Sequence, residues 1–151
     1  MQTESVAAWG LEWAWSLPLI LANVIFHAYA LGLVNRDVVS RIGAVATSEL
    51  RVTRSVLIVG GTALSATLLH ALEIACWAVA YRFLGAAPDN NSALLYSLNA
   101  MTSYGHVSFY LEPRWQMMGA LEALNGWILF GLTTAFLFSI VQKAWLRAQP
   151  G

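Results

Sequence analysis

The chain has 151 residues, of which 58% are hydrophobic and 11% are charged, and its mean hydropathy is +0.61. A soluble domain carries about 25% charged residues, so this chain has too few to cover a surface exposed to water. Eight basic and eight acidic residues cancel, which gives no indication of a nucleic-acid partner. The single cysteine, Cys76, excludes a disulfide within the chain. Composition therefore predicts a membrane protein of one domain's length.

Three apolar segments are long enough to cross a bilayer, which takes about 20 residues. They run roughly over residues 9–34, 55–84 and 116–145. The first begins with a cluster of tryptophans that suits the membrane interface, and no basic residue precedes it. A cleaved signal peptide has a positively charged start, so we expect the first segment to be retained as a membrane span.

Basic residues are unevenly shared between the two sides of the membrane that these spans define. The positive-inside rule places the more basic side in the cytoplasm. We therefore expect an outside N-terminus and a cytoplasmic C-terminus, with a helical connector between the first two spans. The more basic side carries Arg36, Arg41, Arg51, Arg54, Lys143 and Arg147, and the other side carries Arg82 and Arg114.

After the second span, "GAAPDNN" predicts a break in the helix, and Asp89 or Asn90 is predicted to cap the next helix. "SALLYSLNAM" then has helical character for about three turns, roughly 15–18 Å, which is about half a membrane. The polar stretch "TSYGHVSFY" follows, and Pro113 prevents an easy return to helix. Irregular backbone at membrane depth is tolerated only when it is buried in protein or lines a water-filled cavity. The pattern alone leaves open whether this stretch enters the membrane or forms an outer loop.

Ionisable residues within the spans are functional candidates, because an unpaired charge in a membrane is costly. Glu73 follows His70 by three residues, so the two share a helix face and can share a proton or a hydrogen bond. Glu122 lies near the outer end of the third span. We expect Glu73 or Glu122 to support the irregular backbone from behind or to link helices; direct contact with an ion is the alternative. His27 is expected to be a core histidine in contact with another helix.

The third span, "GWILFGLTTAFLFSIVQ", resembles the pore-lining inner helix of tetrameric potassium channels. The preceding "ALLYSLNAMTSYG" resembles a pore helix that leads into a filter. "HALEIACWAVAYRFLGAAPD" resembles the outer helix of small bacterial proteins in the two-pore-type ion channel family, whose members carry an extra helix ahead of the pore module. The resemblance covers residues 64–141 and implies an all-α membrane fold: three transmembrane helices, a re-entrant pore helix and a filter loop, assembled as a homotetramer. It also implies a location in the inner membrane of a bacterium.

The same resemblance implies roles for residues of the third span. Gly126 matches the glycine at which the inner helix bends, and Gly131 follows five residues later. Phe130 and Thr134 match positions that face the central cavity, and Ala135 lies near the inner gate. In domain terms, residues 1–54 are then the extra helix and its cytoplasmic connector, and residues 55–151 are the pore module.

The family filter reads T-V-G-Y-G, and this chain departs from it. If Gly105 is the first filter glycine, Val107 stands where the family has the second. A second register makes Tyr104 and Gly105 the "YG" pair, with one residue deleted before it. We favour the first, which keeps a plausible distance to the downstream "PRW". A valine rarely adopts the positive φ of a filter glycine, so potassium selectivity is not expected to carry over. The candidate filter residues are Thr102, Ser103, Tyr104, Gly105, His106 and Val107.

The expected function is passive conduction of monovalent cations, such as K or Na, through a homotetrameric pore. Hydroxyls and the Gly105 carbonyl would form fewer ion sites than a full filter. A ring of His106 side chains would lower conduction on acidification; the alternative is an outer-mouth residue bonded to neighbouring backbone. The expected partners are further copies of the chain, the lipid bilayer and the permeant cations, with no cofactor and no nucleic acid.

Two other functions stay open. The first is a membrane scaffold or accessory subunit that keeps the channel fold without conducting. The second is a redox protein that uses His27 and His70 as haem ligands. The sequence shows no nucleophile with a general base and no phosphate-binding loop, so an enzyme is not expected.

Overall fold

The computed structural model describes residues 2–42, 48–105 and 110–148, and within these ranges every regular element is helical. Helix α1 spans Gln2–Ile42, α2 spans Ser48–Phe83, α3 spans Asn90–Met101 and α4 spans Gln116–Ala148. A single 3-10 turn, Pro113–Trp115, precedes α4, with its proline at the start where the missing N–H costs nothing. Predicted filter residues His106 and Val107 lie outside the described residues.

Three of these helices are long and apolar enough to cross a membrane. The candidate spans are Gly10–Val38 in α1, Val52–Phe83 in α2 and Pro113–Trp145, which includes α4. Large apolar side chains along them, such as Leu21, Ile25 and Leu68, are about 60% exposed in the single chain, as expected for surfaces that face lipid or another protein chain. The prediction of an all-helical fold with three helices that could span a membrane is confirmed over the described residues, and such helices indicate a multi-pass membrane protein.

The helices divide between two compact units, which we describe separately. The first comprises the described parts of Met1–Ile25 and Ala71–Leu129, and the second those of Phe26–His70 and Phe130–Gly151. The long helices therefore contribute to both units, whereas α3 belongs to the first alone.

The first unit is built around α3. Residues with helical spacing form one buried stripe on α3, because positions three and four apart share a helix face; the stripe consists of Ala93, Tyr96, Ser97, Ala100 and Met101. Tyr96 meets Tyr81 of α2 edge to face, with ring centroids 5.4 Å apart. On the opposite side of α3, three leucines are about half exposed: Leu94, Leu95 and Leu98.

The connection from α2 to α3 is short and fully hydrogen-bonded at both ends. Gly85 has φ +66° and ends α2 in a Schellman motif, in which Ala86 N donates to the Tyr81 carbonyl and Gly85 N to the Arg82 carbonyl. The Arg82 guanidinium then donates to the Ala87 carbonyl and to Asn90 Oδ1. Glycine supplies the left-handed conformation here at little cost.

Asp89 caps α3, as the sequence predicted. Its carboxylate accepts from the Ser92 backbone N–H at 2.9 Å and from the Ser92 hydroxyl at 2.7 Å. The first of these bonds satisfies a backbone donor of the helix start that would otherwise lack a partner.

The second unit packs the remaining lengths of α1, α2 and α4 through small and aliphatic residues. The buried apolar residues are Leu31, Val38, Ala66, Leu69, Ile140 and Ala144. Towards one end, Lys143 Nζ donates to Asn35 Oδ1 at 3.1 Å. The predicted helical connector is confirmed on both flanks, since α1 continues to Ile42 and α2 begins at Ser48; residues 43–47 lie outside the described residues.

The cap at Asp89 predicts a pH dependence of stability. The backbone N–H of Ser92, followed by its hydroxyl, lowers the pKa of Asp89 from its ordinary value of 3.8. A lowered folded-state pKa means that this stabilisation is complete above 3.8 and is lost as the pH falls through the folded-state value. Asp89→Asn keeps an acceptor oxygen but cannot titrate.

We therefore expect acidification below about pH 4 to lower the melting temperature of the wild type more than that of Asp89→Asn. Asp89→Ala should be less stable than both at neutral pH. Thermal unfolding in detergent between pH 3 and 7 measures these differences, and a wild-type-to-Asn difference that does not change with pH would contradict the assignment.

Candidate functional site

The candidate filter begins at the C-terminal end of α3. Thr102 has right-handed φ and ψ of −84° and −4° and donates from its hydroxyl to the Leu98 carbonyl. Ser103 has φ +54° and Gly105 has φ +98°, whereas Tyr104 between them does not have a positive φ. All four residues from 102 to 105 are exposed in the single chain. The backbone therefore alternates in handedness over the described part of the predicted filter.

Ser103 occupies a position where helices usually place glycine. Tyr104 N donates to the Asn99 carbonyl and Ser103 N to the Ala100 carbonyl, so α3 ends in a second Schellman motif with Ser103 at its left-handed position. A left-handed conformation costs a residue other than glycine about 1–2 kcal/mol. The indole Nε1 of Trp127 in α4 donates to the Ser103 hydroxyl at 2.8 Å, which holds the residue in place.

Gly126 lets this end of α3 approach α4 closely. A Cβ atom at Gly126 would overlap the Met101 carbonyl oxygen, and one at Gly119 would overlap the Tyr96 hydroxyl. Gly131 has open space around it within the chain. The structure thus gives Gly126 a packing role, and α4 continues as helix past it. The bend predicted there by resemblance stays a prediction.

Glu122 links three helices inside the first unit. It is fully buried on α4, and its Oε2 accepts from the Tyr81 hydroxyl of α2 at 2.6 Å. Its Oε1 lies 2.5 Å from the Ser97 hydroxyl of α3, which in turn lies 2.8 Å from the Ile74 carbonyl of α2. Glu122 therefore bonds to two other helices, which agrees with one of the roles expected for Glu73 or Glu122; its support of the filter stays a prediction. Glu73 is also fully buried, and its predicted supporting role stays a prediction.

The second unit contains a buried trio of side chains from three helices. The Thr133 hydroxyl of α4 lies 3.0 Å from His27 Nε2 of α1 and 3.1 Å from His70 Nε2 of α2. The imidazole centroids are 5.1 Å apart, and the ring of Phe130 lies 4.4 Å from that of His70. His27 is fully buried and is a core histidine in contact with another helix, as predicted.

The use of His27 and His70 as haem ligands is one of the functions that the sequence left open. A possible ligand nitrogen of each lies within 4.8 Å of the other, and the Nε2 atom of each lies within hydrogen-bond distance of the Thr133 hydroxyl. The hydroxyl that the imidazoles share, and their tilted ring contact, favour a structural link between helices over axial ligation of a macrocycle.

The predicted cavity and gate residues lie on an accessible face of α4. Thr134 and Ala135 are exposed in the single chain, and Phe130 is 38% exposed. The Thr134 hydroxyl donates to the Phe130 carbonyl of its own helix at 2.8 Å, so its bond is satisfied without a neighbour. A cavity role for these residues stays a prediction.

Sequence reasoning did not identify three polar residues of these clusters: Tyr81, Ser97 and Thr133. The sequence could have indicated Ser97, because it is a small polar residue within the otherwise largely apolar stripe on α3. Tyr81 and Thr133 lie on long helices, where nothing in the neighbouring sequence sets them apart. Their partners are 41 and 106 positions away in the sequence. Spacing along one helix cannot reveal such pairings.

In comparisons with known proteins, no family model, no curated protein and no solved structure matches this chain.

The contact at Gly126 predicts a sharp difference between two glycines of α4. Gly126→Ala should destabilise the protein by about 1–3 kcal/mol, because the backbone of Met101 has to move to admit a methyl group. Gly131→Ala meets open space and should be neutral or stabilising by up to about 1 kcal/mol. Thermal unfolding in detergent compares them, and equal effects of the two substitutions would disprove the close approach.

The trio in the second unit predicts a difference between two neighbouring threonines. Thr133→Val removes a hydroxyl from two buried imidazoles and should cost about 1–3 kcal/mol for each polar atom left unpaired. Thr134→Val removes only an exposed bond within one helix and should change stability by less than about 0.5 kcal/mol. Chemical denaturation in mixed micelles would show the contrast; a tolerant Thr133 would mean that the trio does not stabilise the unit.

Proposed function

We propose that this chain is one subunit of a homotetrameric pore that passively conducts monovalent cations. The observation that carries the proposal is the position of the α3 end along a candidate spanning helix. Its Met101 carbonyl packs on Gly126, thirteen residues after Pro113 at the start of the 33-residue candidate span. Thirteen helical residues extend about 20 Å of the roughly 50 Å that this span covers, so α3 ends alongside the interior of the span. This position supports a re-entrant helix in place of an outer loop.

The backbone after α3 suits an ion path. At membrane depth, irregular backbone has to be buried in protein or to line a water-filled cavity, and residues 102–105 are not buried in the single chain. Alternating handedness at Ser103, Tyr104 and Gly105 resembles the backbone of a channel filter, in which successive carbonyls replace the water around an ion. The C-terminal end of α3 also carries a partial negative charge that favours a cation.

The alternating handedness of residues 103–105 supports the second filter register over the first, which we favoured from the sequence. In the second register Gly105 is the second filter glycine; with the deleted residue placed before Ser103, Ser103 takes the position of the first, and both residues have positive φ. In the first register, Ser103 would correspond to a residue that needs no left-handed conformation. The second register places one serine at a glycine position, and therefore fits a weakly selective pore for K or Na.

A single copy contributes one short helix and cannot enclose a pore. Further copies of the chain would cover the half-exposed leucines on the outer side of α3 and bring the polar segments around one axis. The permeant cations and the lipid bilayer are then the other partners, and no resident cofactor is required. The distribution of basic residues supports a cytoplasmic C-terminus and an outside N-terminus, and the resemblance to small bacterial proteins suggests a bacterial inner membrane.

Cation flux from liposomes tests the function. The reconstituted wild type should release K faster than empty vesicles, and native mass spectrometry should show four copies. Gly105→Val should abolish the flux, because valine is strained at φ +98°. Gly60→Val is the matched control, since Gly60 is helical with open space around it and its replacement should leave the flux unchanged.

Failure of the assembled wild type to release K or Na would overturn conduction and favour a non-conducting scaffold that retains the fold. A separate pair of variants tests the register. In the second register Ser103→Gly supplies the missing glycine and should raise the K-to-Na permeability ratio severalfold. In the first register Val107→Gly should have that effect. Trp127→Phe, which removes the bond to Ser103, controls for the loss of that contact in Ser103→Gly.

A further inference from the structure

The hydrogen-bond contacts around Glu122 require more protons than the two hydroxyl groups in them can supply. Three oxygen pairs lie within hydrogen-bond distance: Tyr81 with Glu122, Glu122 with Ser97, and Ser97 with the Ile74 carbonyl. Each pair needs one proton between its two oxygens. The two hydroxyls supply one proton each, and a peptide carbonyl supplies none. With an ionised Glu122, two protons have to serve three contacts.

An ionised carboxylate would leave one contact without a proton. If Ser97 donated to Glu122, the Ser97 oxygen would face the Ile74 carbonyl at 2.8 Å as two acceptors that repel each other. If Ser97 donated to Ile74, the same repulsion would arise at Glu122, at an even shorter distance. A third proton resolves both cases, and Glu122 is the group able to carry it.

We infer that Glu122 is a neutral carboxylic acid in the folded protein and donates its proton to Ser97, as a positioning residue that fixes α3 between α2 and α4. The bonds then run in one direction: Tyr81 donates to Glu122, Glu122 donates to Ser97, and Ser97 donates to the Ile74 carbonyl. Each oxygen pair receives one proton, and no charge is buried.

The surroundings of Glu122 agree with a neutral acid. Its side chain is fully buried in the single chain, and its hydrogen-bond partners are hydroxyls, not cations. An ionised carboxylate without a counter-charge is very costly in an apolar interior. The titratable groups that interact with Glu122 are the phenols of Tyr81 and Tyr96. Glu12 of α1 bonds to the Met117 N–H at 2.8 Å, so α1 also contributes an acid and not a cation near this part of α4.

Infrared spectroscopy tests the inference directly, without any conduction. At neutral pH, the difference spectrum of wild type minus Glu122→Gln should contain the C=O stretch of a protonated carboxyl group, and this band should shift when glutamate is carboxyl-labelled with carbon-13. Glu112→Gln is the matched control: Glu112 is an exposed acid paired with Arg114, and its replacement should remove only carboxylate bands. Carboxylate bands at Glu122 would overturn the inference.

Stability supplies a second readout, which separates positioning from mere burial. A glutamine amide accepts from Tyr81 and donates to Ser97, as a neutral acid does, so Glu122→Gln should unfold close to the wild-type temperature. A leucine side chain can neither accept nor donate a hydrogen bond, so Glu122→Leu should unfold at a clearly lower temperature. Equal destabilisation by Gln and Leu would overturn the positioning role.

If Glu122→Gln does not fold, Ser97→Ala takes its place in the infrared measurement. Removal of the acceptor should move the carboxylic-acid band to higher frequency, because the acid loses its hydrogen bond, while an absent band would again count against the inference. The outcome does not depend on whether the chain conducts ions, so failure of the pore proposal and failure of this one are distinguishable.

Discussion

The position of α3 depends on a close contact between two backbones. At Gly126 the absence of a side chain lets the Met101 carbonyl rest directly against α4, and no other residue type would admit it there without a shift. This contact sets where α3 ends, and so where the left-handed residues Ser103 and Gly105 begin. Gly119, about two helical turns before Gly126, likewise lets the ring and hydroxyl of Tyr96 approach α4 closely. The packing of α3 against α4 therefore determines where the polar segment after α3 lies.

Two clusters of buried polar side chains bridge helices, one in each unit. Glu122 joins α4 to α2 and α3 through hydroxyls, and Thr133 joins α4 to α1 and α2 through imidazoles. In lipid, van der Waals packing has to be supplemented by such bonds, because apolar side chains gain little by leaving an apolar solvent. Neutral donors and acceptors can do this without the cost of burying a charge. The clusters thus specify which helix faces meet.

Much of the fold is readable from the sequence because it depends on local properties. The three candidate spans follow from the length of the apolar runs, and the start of α3 follows from Asp89 or Asn90 as a cap; the structure has three such helices and Asp89 as the cap. The role of Glu122 as a link was inferable from the cost of an isolated acid. Its partners, and the left-handed conformation of Ser103, were not, because they depend on residues brought together from distant positions. The register of the candidate filter depends on φ values in the same way, and sequence distance to "PRW" does not report them.

The stiff turn between α2 and α3 has a consequence for motion. From the Schellman motif at Gly85 to the cap at Asp89, hydrogen bonds tie both helix ends and the intervening Ala87 carbonyl. The Glu112 N–H, just before the 3-10 turn, also donates to the Ala86 carbonyl. Swinging α3 away from α2 would break several of these bonds at once, so the two helices should fluctuate as one body. We therefore expect any slow conformational change of the protein to involve segments other than the turn between α2 and α3.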